Sequence, residues 1–491
     1  MSTPDFSKKK ILIMGLGLHG GGVASAQWFF EQGAEVIVTD LKDEVALRDS
    51  VISLNKSTRA YRLAHPEKKF ISPAYVLGTH REQDFRTADL IIQNPGVPRE
   101  SAYLGYAKES GVPIENEVTI FFLLTPGTPK IAVTGTRGKS TTTSLIFEMV
   151  KQKYPDALLL GVAGHPASYA FLSAVDRTRR KEHADALIPC VMELSSWQLE
   201  LFDTHALKPD IAVVTNIFKD HLNRYPDYEA YQRAKTSIFS FQDKDDCVIL
   251  NYDNECTRFF GESGAHSRLY WFSLRERIAR GCYQEEGKIF CSDGDKKEYG
   301  YLREDGVWVG AHMRQNALAA CTAASLFGVS SDQIKHALAH FTGVPSRLEC
   351  IGEKDARVWY DDTTSTSPEA TSAALRTLGS CKKNIILIAG GADKNFDFSE
   401  LASDIAGYCR STVLLSGTAT PKIASALGAQ NYAGTIALAN SMREAVMRAW
   451  RLSQRGDILL LSPAAASFGM FVNEFDRGSQ FREAFNSFEE Q

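Results

Sequence analysis

Short apolar runs that end in glycine or polar residues recur along the chain, and they predict the strands of parallel β-sheets. The first run, "KKILIMG", is followed by a glycine-rich turn, a stretch with the apolar spacing of a helix, and a second strand, "EVIVTD". Strand, turn, helix and strand in this order predict a βαβ unit. A later run, "ADLIIQNPG", predicts another strand of the same sheet, with Asn94 in the loop that follows it.

The alternation of strands and helices continues to the end of the chain. Predicted strands in the middle are "KIAVTG", "ALIPCVMELSS" and "DIAVVTN", and those in the last third are "RVWYDD", "NIILIAGG", "STVLLSG" and "DILLLSP". Helices are predicted at "SPEATSAALRTL" and "SMREAVMRAWRLSQ". A chain of 491 residues holds about three domains of roughly 150 residues each. We therefore predict three α/β domains, at about 1–126, 127–345 and 346–491.

Composition excludes several classes of protein. Hydrophobic residues make up 44% and charged residues 23% of the chain, which is typical of a globular protein, and the net charge of −4 indicates neither a nucleic-acid nor an anionic-membrane partner. The nine cysteines are scattered and form no C-x-x-C, so we expect neither a disulfide framework nor a zinc site, and a reducing, cytoplasmic environment. No uncharged apolar run reaches the roughly 18 residues of a membrane span.

The first glycine turn has the spacing of a dinucleotide site. Gly15, Gly17 and Gly20 fit G-x-G-x-x-G, and Asp40 follows about 20 residues later. The helix after such a turn offers free N–H groups to a pyrophosphate. Taken alone, the pattern favours NAD, and the alternative is a tight turn that only packs the helix on the strand.

The second turn, in "KIAVTGTRGKSTTTSLIF", departs from the usual phosphate loop. Val133 stands where that pattern requires its first glycine, and the nearest one is Gly135. The context of strand, turn and helix nevertheless suits phosphates. Lys139 supplies a positive charge, and the hydroxyl of Ser140 or Thr141 can reach Mg²⁺. The alternative is a chance Gly-Lys-Ser in a loop.

Polar residues also end the next two predicted strands. Glu193 ends one, and Asp220 and His221 follow the other. The ends of parallel strands share one edge of a sheet, so these residues are expected beside the phosphate loop, where a carboxylate suits Mg²⁺. The alternatives are a helix-capping acid and a surface histidine, and Lys235 on its own would be a solvated helix lysine.

Four segments together resemble the Mur ligases, the ATP-dependent amide ligases of peptidoglycan precursor synthesis. They are "GTRGKSTTT", "MELSSWQLE", "TNIFKDHLNRYPDYEAYQRAK" and "SPAAASFGMFVNEFDRG", in the family's order and over nearly the whole chain. "MGLGLHGGG" and "ELSSWQLE" are most similar to the member that joins D-glutamate to UDP-N-acetylmuramoyl-L-alanine. The family's phosphate loop is shorter than the usual one, which accounts for the departure at Val133.

The resemblance implies an architecture and a set of partners. The N-terminal domain would be Rossmann-like and bind the UDP-substrate instead of NAD, the central domain would be a P-loop ATPase, and the C-terminal domain would be Rossmann-like and bind the amino acid. It further implies an acyl-phosphate intermediate, two Mg²⁺ ions, and a cytoplasmic monomer without nucleic-acid or membrane partners. The process it serves would be cell-wall synthesis, and with it cell shape and division.

The resemblance also implies site residues. Matches to ATP-binding positions are Gly135, Thr136, Arg137, Gly138, Lys139, Ser140, Thr141, Thr142, Asn316, Arg347 and Asp362. Matches to UDP-binding positions are Leu18, His19, Asp40, Leu41 and Asn94, and matches to amino-acid-binding positions are Lys394, Ser467 and Phe471. The implied catalytic residues are Lys139, Glu193, His221 and Lys235. Glu193 with Ser140 or Thr141 would hold one Mg²⁺, and His221 with a carbamylated Lys235 would hold the second.

The chain departs from the family pattern at four positions. Arg137 replaces an asparagine in the phosphate loop, Val162 stands at an asparagine of the substrate site, and Met313 replaces the first asparagine of H-N-x-x-N. Thr364 stands where a carboxylate-binding lysine is common, which leaves D- versus L-glutamate open.

Two other functions remain open at this point. One is a related ligase, such as a folylpolyglutamate synthase or a ligase for another amino acid, although the N-terminal glycine unit argues against the folate enzyme. The other is a nucleotide-switch or NAD-sensing protein, whose ATP hydrolysis would not depend on an amino acid and a UDP-sugar.

Overall fold

The structure is a computed structural model, and it describes residues 5–18, 20–179, 187–219, 224–301, 308, 310–379 and 383–487. Two of the expected ligand residues, His19 and His221, lie outside the described residues.

The described chain forms two compact units. The first comprises residues 1–303 and 311–340, and the second comprises 304–310 and 341–491. The first unit contains two sheets and the second unit one, so the three-domain α/β architecture is confirmed. The expected domain boundaries near 126 and 345 stay predictions.

The first sheet is parallel throughout and has the order β3-β2-β1-β4-β5. Its strands are β1 Lys10–Met14, β2 Glu35–Asp40, β3 Ala74–Leu77, β4 Leu90–Gln93 and β5 Ile114–Glu115. Its helices are α1 Gly21–Glu31, α2 Arg48–Ala64, α3 Glu82–Thr87 and α4 Ala102–Glu109. The predicted βαβ unit is therefore confirmed as β1, α1 and β2.

The second sheet has the order β15-β14-β13-β12-β11-β10-β6-β9-β7-β8. Its strands are β6 Lys130–Thr134, β7 Leu158–Leu160, β8 Ser168–Tyr169, β9 Cys190–Glu193, β10 Ile211–Val214, β11 Cys247–Asn251, β12 Arg268–Ser273, β13 Arg280–Glu285, β14 Lys288–Asp293 and β15 Asp295–Tyr301. Its helices are α5 Glu117–Leu124, α6 Lys139–Lys151, α7 Phe171–Thr178, α8 Ser196–Leu199, a 3₁₀ turn Phe202–Thr204, α9 Tyr228–Thr236, α10 Glu255–Glu262, α11 Ala311–Leu326 and α12 Ser331–His340.

The centre of the second sheet is buried on both faces. All residues of β6 and β10 are buried, as the near-continuous apolar runs of these strands predict for a parallel sheet between two helix layers. One apolar core continues from this sheet into the first one, and it includes Phe29, Phe121 and Phe171. Within the described residues, no helix combines the length and the hydropathy that crossing a bilayer requires.

The sheet of the second unit has the order β16-β17-β21-β18-β19-β20, and only β16 runs antiparallel to its neighbour. Its strands are β16 Glu349–Lys354, β17 Arg357–Asp361, β18 Ile385–Gly390, β19 Cys409–Leu415, β20 Thr435–Ala439 and β21 Ile458–Leu461. Its helices are α13 Pro368–Leu378, α14 Ser399–Tyr408, α15 Thr420–Ala429, α16 Met442–Leu452 and α17 Glu474–Asn486. The four predicted strands and both predicted helices of this region are confirmed.

One cysteine pair differs from the expectation of scattered thiols. Cys282 on β13 and Cys291 on β14 are directly opposed in the antiparallel pair, and a disulfide joins them. The expectation was wrong at this pair because the hairpin register brings the two residues together, and spacing along the sequence does not reveal it.

Candidate functional site

The phosphate loop connects β6 to α6 at the carboxyl edge of the second sheet. Gly135 and Gly138 have φ angles of 147° and 82°, which residues with a Cβ rarely adopt. Lys139 is the first residue of α6, followed by Ser140 and Thr141. The free N–H groups of the first helical turn, the lysine and the hydroxyls thus follow directly on the glycine turn, which is an arrangement suited to phosphate.

The loop that follows β10 holds the phosphate loop in place. The N–H of Thr136 donates to Asn216 O at 2.8 Å, and the N–H of Arg137 donates to Asn216 Oδ1 at 2.9 Å. Thr215 Oγ1 in turn donates to Arg137 O at 2.7 Å. A Cβ on Gly135 would lie 1.9 Å from Thr215 Oγ1, so only glycine fits there. No pattern in the sequence predicts this role of Thr215.

Lys235 on α9 reaches the same loop and is only 2% exposed. Its Nζ donates to Gly135 O at 2.8 Å and lies 4.8 Å from the centroid of the Tyr231 ring. The Tyr231 hydroxyl is 3.1 Å from Thr136 Oγ1. The structure therefore places Lys235 at the phosphate loop, where residue chemistry alone would have left it as a solvated helix lysine.

Lys139 and Asn316 lie at the start of α6. Lys139 Nζ donates to Thr136 O at 3.2 Å. Asn316, on α11, is 5% exposed, and a Cβ on Gly138 would lie 2.4 Å from its Oδ1. The structure thus brings together the expected ATP-binding residues of the first unit, from Gly135 to Thr142 and Asn316.

The end of β9 supplies the carboxylate of this site. Glu193 pairs with Val133 in the register of β9 and β6, so it lies beside the strand that leads into the phosphate loop. Glu193 Oε2 is buried and has no hydrogen-bond partner among the described residues. A buried carboxylate oxygen without a donor suits a divalent cation, because such a cation would compensate the loss of water.

The described residues contain no group of three or more His, Cys, Asp or Glu side chains placed to hold a metal ion. Mg²⁺ does not need such a group, since it binds through one or two carboxylates together with phosphate oxygens and water. Glu193 and the Ser140 hydroxyl therefore fit Mg²⁺ bound with a nucleotide, and they do not form a closed site of their own.

The N-terminal glycine turn is organised by Asp40. Its Oδ2 accepts from the N–H groups of Leu16 and Gly17 at 3.0 and 3.2 Å, and its Oδ1 accepts from Lys42 N at 2.9 Å. Ser50 Oγ donates to Gly17 O at 2.7 Å from the other side. A carboxylate has about four acceptor positions, so Asp40 shapes the turn and can still accept from a ligand.

The other expected UDP-binding residues surround this turn. Asn94 Nδ2 donates to Gly15 O at 2.9 Å. Leu18 packs against the core, whereas Leu41 is 67% exposed directly after β2. Asn94 and Asp40 therefore fix the two sides of the turn, and Leu41 offers an apolar surface to a ligand there.

In the second unit, Asp362 follows β17 and is a buried carboxyl. Ser462 Oγ donates to its Oδ2 at 2.7 Å, and Leu348 N donates to its Oδ1 at 3.0 Å. Burial raises the pKa of Asp362 from 3.8 to about 6, although the hydrogen bonds from Ser365 and Ser462 act in the opposite direction. Arg347, the other expected ATP-binding residue of this unit, is exposed next to Leu348.

The expected amino-acid-binding residues lie on two adjacent loops at the same edge. Lys394 is exposed in the loop after β18, and Ser467 is 3% exposed in the loop after β21. Ala392 and Ala466 join the two loops by a pair of backbone hydrogen bonds. Phe471 is also buried, and its N–H donates to Ser467 O at 3.2 Å.

Two of the positions that depart from the family pattern have local roles. Thr364 Oγ1 donates to Ser346 O at 2.8 Å, so it holds the chain at the start of the second unit. Val162 is buried, and its N–H donates to Ser168 Oγ at 3.1 Å. Val162 thus has no polar side-chain group at its position, and the Thr364 hydroxyl carries no positive charge at its own.

Comparison with known protein families matches three segments. Residues 9–116 match the Mur ligase MurD-like N-terminal domain, residues 133–324 match the Mur ligase middle domain, and residues 346–465 match the Mur ligase glutamate ligase domain.

Relatives of the same length are similar over the whole chain. A UDP-N-acetylmuramoylalanine–D-glutamate ligase of Roseiflexus sp. is 39% identical over 98% of this chain and 99% of its own. The ligase of that name from Borreliella burgdorferi is 33% identical over 99% of this chain and 100% of its own. Among solved structures, UDP-N-acetylmuramate–alanine ligase MurC of Thermotoga maritima has a similar fold, with a TM-score of 0.61, 19% identity, and coverage of 98% of this chain and 99% of the other.

Proposed function

The chain belongs to the Mur ligase family, and we propose on this premise that it joins D-glutamate to UDP-N-acetylmuramoyl-L-alanine at the expense of ATP. The observation that carries the proposal is the similarity along the full length to relatives named for this reaction. The MurD-like N-terminal match supports the same choice among members of the family. The reaction belongs to peptidoglycan precursor synthesis.

The proposed reaction has two steps. The carboxylate of UDP-N-acetylmuramoyl-L-alanine attacks the γ-phosphorus of ATP, and ADP leaves with the formation of an acyl phosphate. The neutral amine of D-glutamate then attacks the acyl carbon, the C–N bond forms, the C–O bond to phosphate breaks and phosphate leaves, and the nitrogen releases one proton. Lys139 and the N–H groups of α6 would neutralise charge on the transferring group, since catalysis of this transfer rests mainly on positioning and electrostatics.

Each proposed ligand has its own set of residues. The UDP-substrate would be bound by Leu18, His19, Asp40, Leu41 and Asn94, and D-glutamate by Lys394, Ser467 and Phe471. ATP would be bound by Gly135 to Thr142, Asn316, Arg347 and Asp362. The support is that the described members of the UDP set lie together in the first unit and those of the D-glutamate set in the second, whereas the ATP set has members in each unit, all near carboxyl ends of strands, where α/β domains bind ligands.

Magnesium is part of the proposal. Glu193 and the hydroxyl of Ser140 or Thr141 would hold one ion, and His221 with Lys235 would hold a second. Bound Mg²⁺ neutralises charge on the phosphoryl oxygens. The support within the described residues is the buried Glu193 Oε2, which has no hydrogen-bond partner there.

Lys235 is proposed to act as a carbamate, formed when the neutral amine takes up CO₂ and its nitrogen releases one proton. An ammonium would be repelled by a nearby Mg²⁺, whereas a carbamate is an anion that can bind the metal. The nitrogen of a carbamate keeps one hydrogen, so the hydrogen bond from Nζ to Gly135 O is compatible with the modification.

The proposal includes the setting of the enzyme. We place it in the cytoplasm, because ATP and the nucleotide-linked precursor are soluble metabolites of that compartment. On the family resemblance alone, we propose a monomer without nucleic-acid or membrane partners. A contribution to cell shape and cell division would follow from its place in wall synthesis.

The experiment is phosphate release from ATP with UDP-N-acetylmuramoyl-L-alanine and a panel of amino acids. The proposal expects release only when the sugar nucleotide and D-glutamate are both present. A preference for L-glutamate or another amino acid would identify a different ligase of the family. Hydrolysis that needs neither substrate, together with tight NAD binding, would favour the nucleotide-switch or NAD-sensing alternative and contradict the proposal.

A further inference from the structure

Arg477 is a wholly buried arginine in the second unit, and it is not among the residues expected at the site. It lies on α17, at 0% exposure. Its Nε donates to Thr363 Oγ1 at 3.0 Å, its Nη2 to Thr363 O at 2.8 Å, and its Nη1 to Ala465 O at 3.2 Å. One guanidinium therefore bonds to two different loops.

Each of those two loops carries one expected ligand residue of the unit. Thr363 directly follows Asp362, the expected ATP-binding carboxyl, at the end of β17. Ala465 lies two residues before Ser467, the expected amino-acid-binding hydroxyl, in the loop after β21. A single planar group thus presents fixed donors to both loops, in addition to a backbone hydrogen bond between them, from Ala464 N to Ser365 O at 3.0 Å.

The neighbouring residues of α17 bring the helix close to the same loop. A Cβ on Gly478 would lie 2.7 Å from Thr363 Cγ2, so glycine permits the approach. Arg482, one turn further, has Nη2 2.8 Å from Asp361 Oδ2 and 2.7 Å from Ser346 Oγ. The helix therefore contacts the residues at the carboxyl edge of the sheet at three positions, Arg477, Gly478 and Arg482.

The energetic cost of this arrangement argues against a purely structural role. Burial lowers the pKa of Arg477 to about 10, and the charges of Glu474, Asp361 and Asp362 offset only part of that effect. An apolar side chain of similar size often serves stability as well as a buried charge does. A rigid link between two ligand loops is a task that an apolar side chain cannot perform, because it has no directed donors.

We propose that Arg477 is a positioning residue that holds the amino-acid-binding loop 464–467 in register with the nucleotide-binding loop 362–364. It touches no substrate and acts through Thr363 and Ala465. The proposal rests on the proposed function for the identity of the ligands, but the link between the two loops stands on the contacts alone.

The test compares Arg477→Lys with Arg357→Lys as a matched control. Arg357 begins β17 at the opposite edge of the same sheet, is 9% exposed, and donates from Nε to Ser453 Oγ at 2.8 Å. Both changes keep the charge and remove guanidinium bonds, but only one affects the ligand loops. Thr363→Val, which removes one of the three bonds of Arg477 and the bond from Thr363 Oγ1 to Glu474 O at 2.8 Å, provides an intermediate case.

Two measurements test the proposal, steady-state kinetics and hydrogen exchange. In steady-state kinetics, Arg477→Lys should lower kcat/KM for D-glutamate about 100-fold, the order of effect of a misplacement of about 1 Å, with an unchanged KM for the UDP-substrate. Equal effects of Arg477→Lys and Arg357→Lys, or an equal rise in KM for all three substrates, would overturn the proposal.

Hydrogen exchange gives an answer that does not depend on activity. Arg477→Lys should raise amide exchange in both loops, 362–366 and 464–468, and Arg357→Lys in neither. Unchanged exchange in either loop of the Arg477 variant would overturn the link. An inactive wild-type chain would instead contradict the proposed function and leave this readout valid.

Discussion

Replacing Gly138 with alanine should weaken nucleotide binding without unfolding the chain. Gly138 precedes α6 with a φ of 82°, and an added Cβ would lie 2.4 Å from Oδ1 and 3.2 Å from Cγ of Asn316. Because Asn316 is 5% exposed, it has little room to retreat. The side chain that the substitution displaces is therefore one that we propose to bind ATP.

Gly138→Ala is expected to have two effects, a loss of stability and a loss of nucleotide affinity. The left-handed conformation costs a residue with a Cβ about 1–2 kcal/mol of stability, whatever surrounds it. The added Cβ also displaces Asn316. Cβ atoms essentially never approach another heavy atom closer than 3.0 Å, so the distance of 2.4 Å to Asn316 Oδ1 must increase by about 0.6 Å. We expect this displacement to cost at least about tenfold in nucleotide affinity, or about 1.4 kcal/mol.

Gly111→Ala is the matched control. Gly111 also has a positive φ, 69°, but an added Cβ would meet no atom within 4 Å. Both variants should lose a similar amount of stability in urea unfolding. In calorimetric titration with ADP and Mg²⁺, only Gly138→Ala should lose affinity, and its loss should be non-additive with that of Asn316→Ala. Equal affinities of the two glycine variants would refute the reasoning.

Three further predictions concern single side chains. Lys139→Ala should leave the melting temperature unchanged and lower amide formation to less than about a tenth, or about 1.4 kcal/mol of barrier; a higher residual rate would contradict its role. Lys235→Ala should lose activity that acetate partly restores, and a bare amine in high-resolution density of the active, metal-bound enzyme would refute the carbamate. The pKa of Asp362 rises from 3.8 to about 6 on folding. The protonated carboxyl therefore makes its full contribution to the free energy of unfolding below about pH 3.8, and this contribution is lost as the pH rises through 6. Asp362→Asn cannot ionise, so urea unfolding should show its stability rising relative to wild type by up to about 3 kcal/mol between pH 4 and pH 7.5, with reduced turnover, and a constant difference would argue against the raised pKa.

Elements governed by local pattern were predictable from the sequence. The strand that leads to Gly135 and the helix that begins at Lys139 follow from an apolar run, a glycine turn and a helical period. The five-residue strand β20, "TIALA", was missed because alanine and threonine give it a weak apolar signal at the sheet edge, where Leu438 is 56% exposed.

Contacts between distant segments were not predictable in the same way. Thr215 secures the phosphate loop, and Arg477 joins two loops more than a hundred residues apart in sequence. Lys235 becomes buried only because α9 packs beside Gly135. Local propensity carries no information about such pairs, and for Lys235 only the family resemblance pointed to the site.

The most direct test of the central claim follows an oxygen atom. UDP-N-acetylmuramoyl-L-alanine labelled with ¹⁸O in its carboxylate is turned over with ATP and D-glutamate, and the inorganic phosphate is analysed by mass spectrometry. An acyl-phosphate route predicts one ¹⁸O transferred to phosphate for each amide formed, with no release when D-glutamate is omitted. Unlabelled phosphate, label in AMP, or release that does not require D-glutamate would contradict the account.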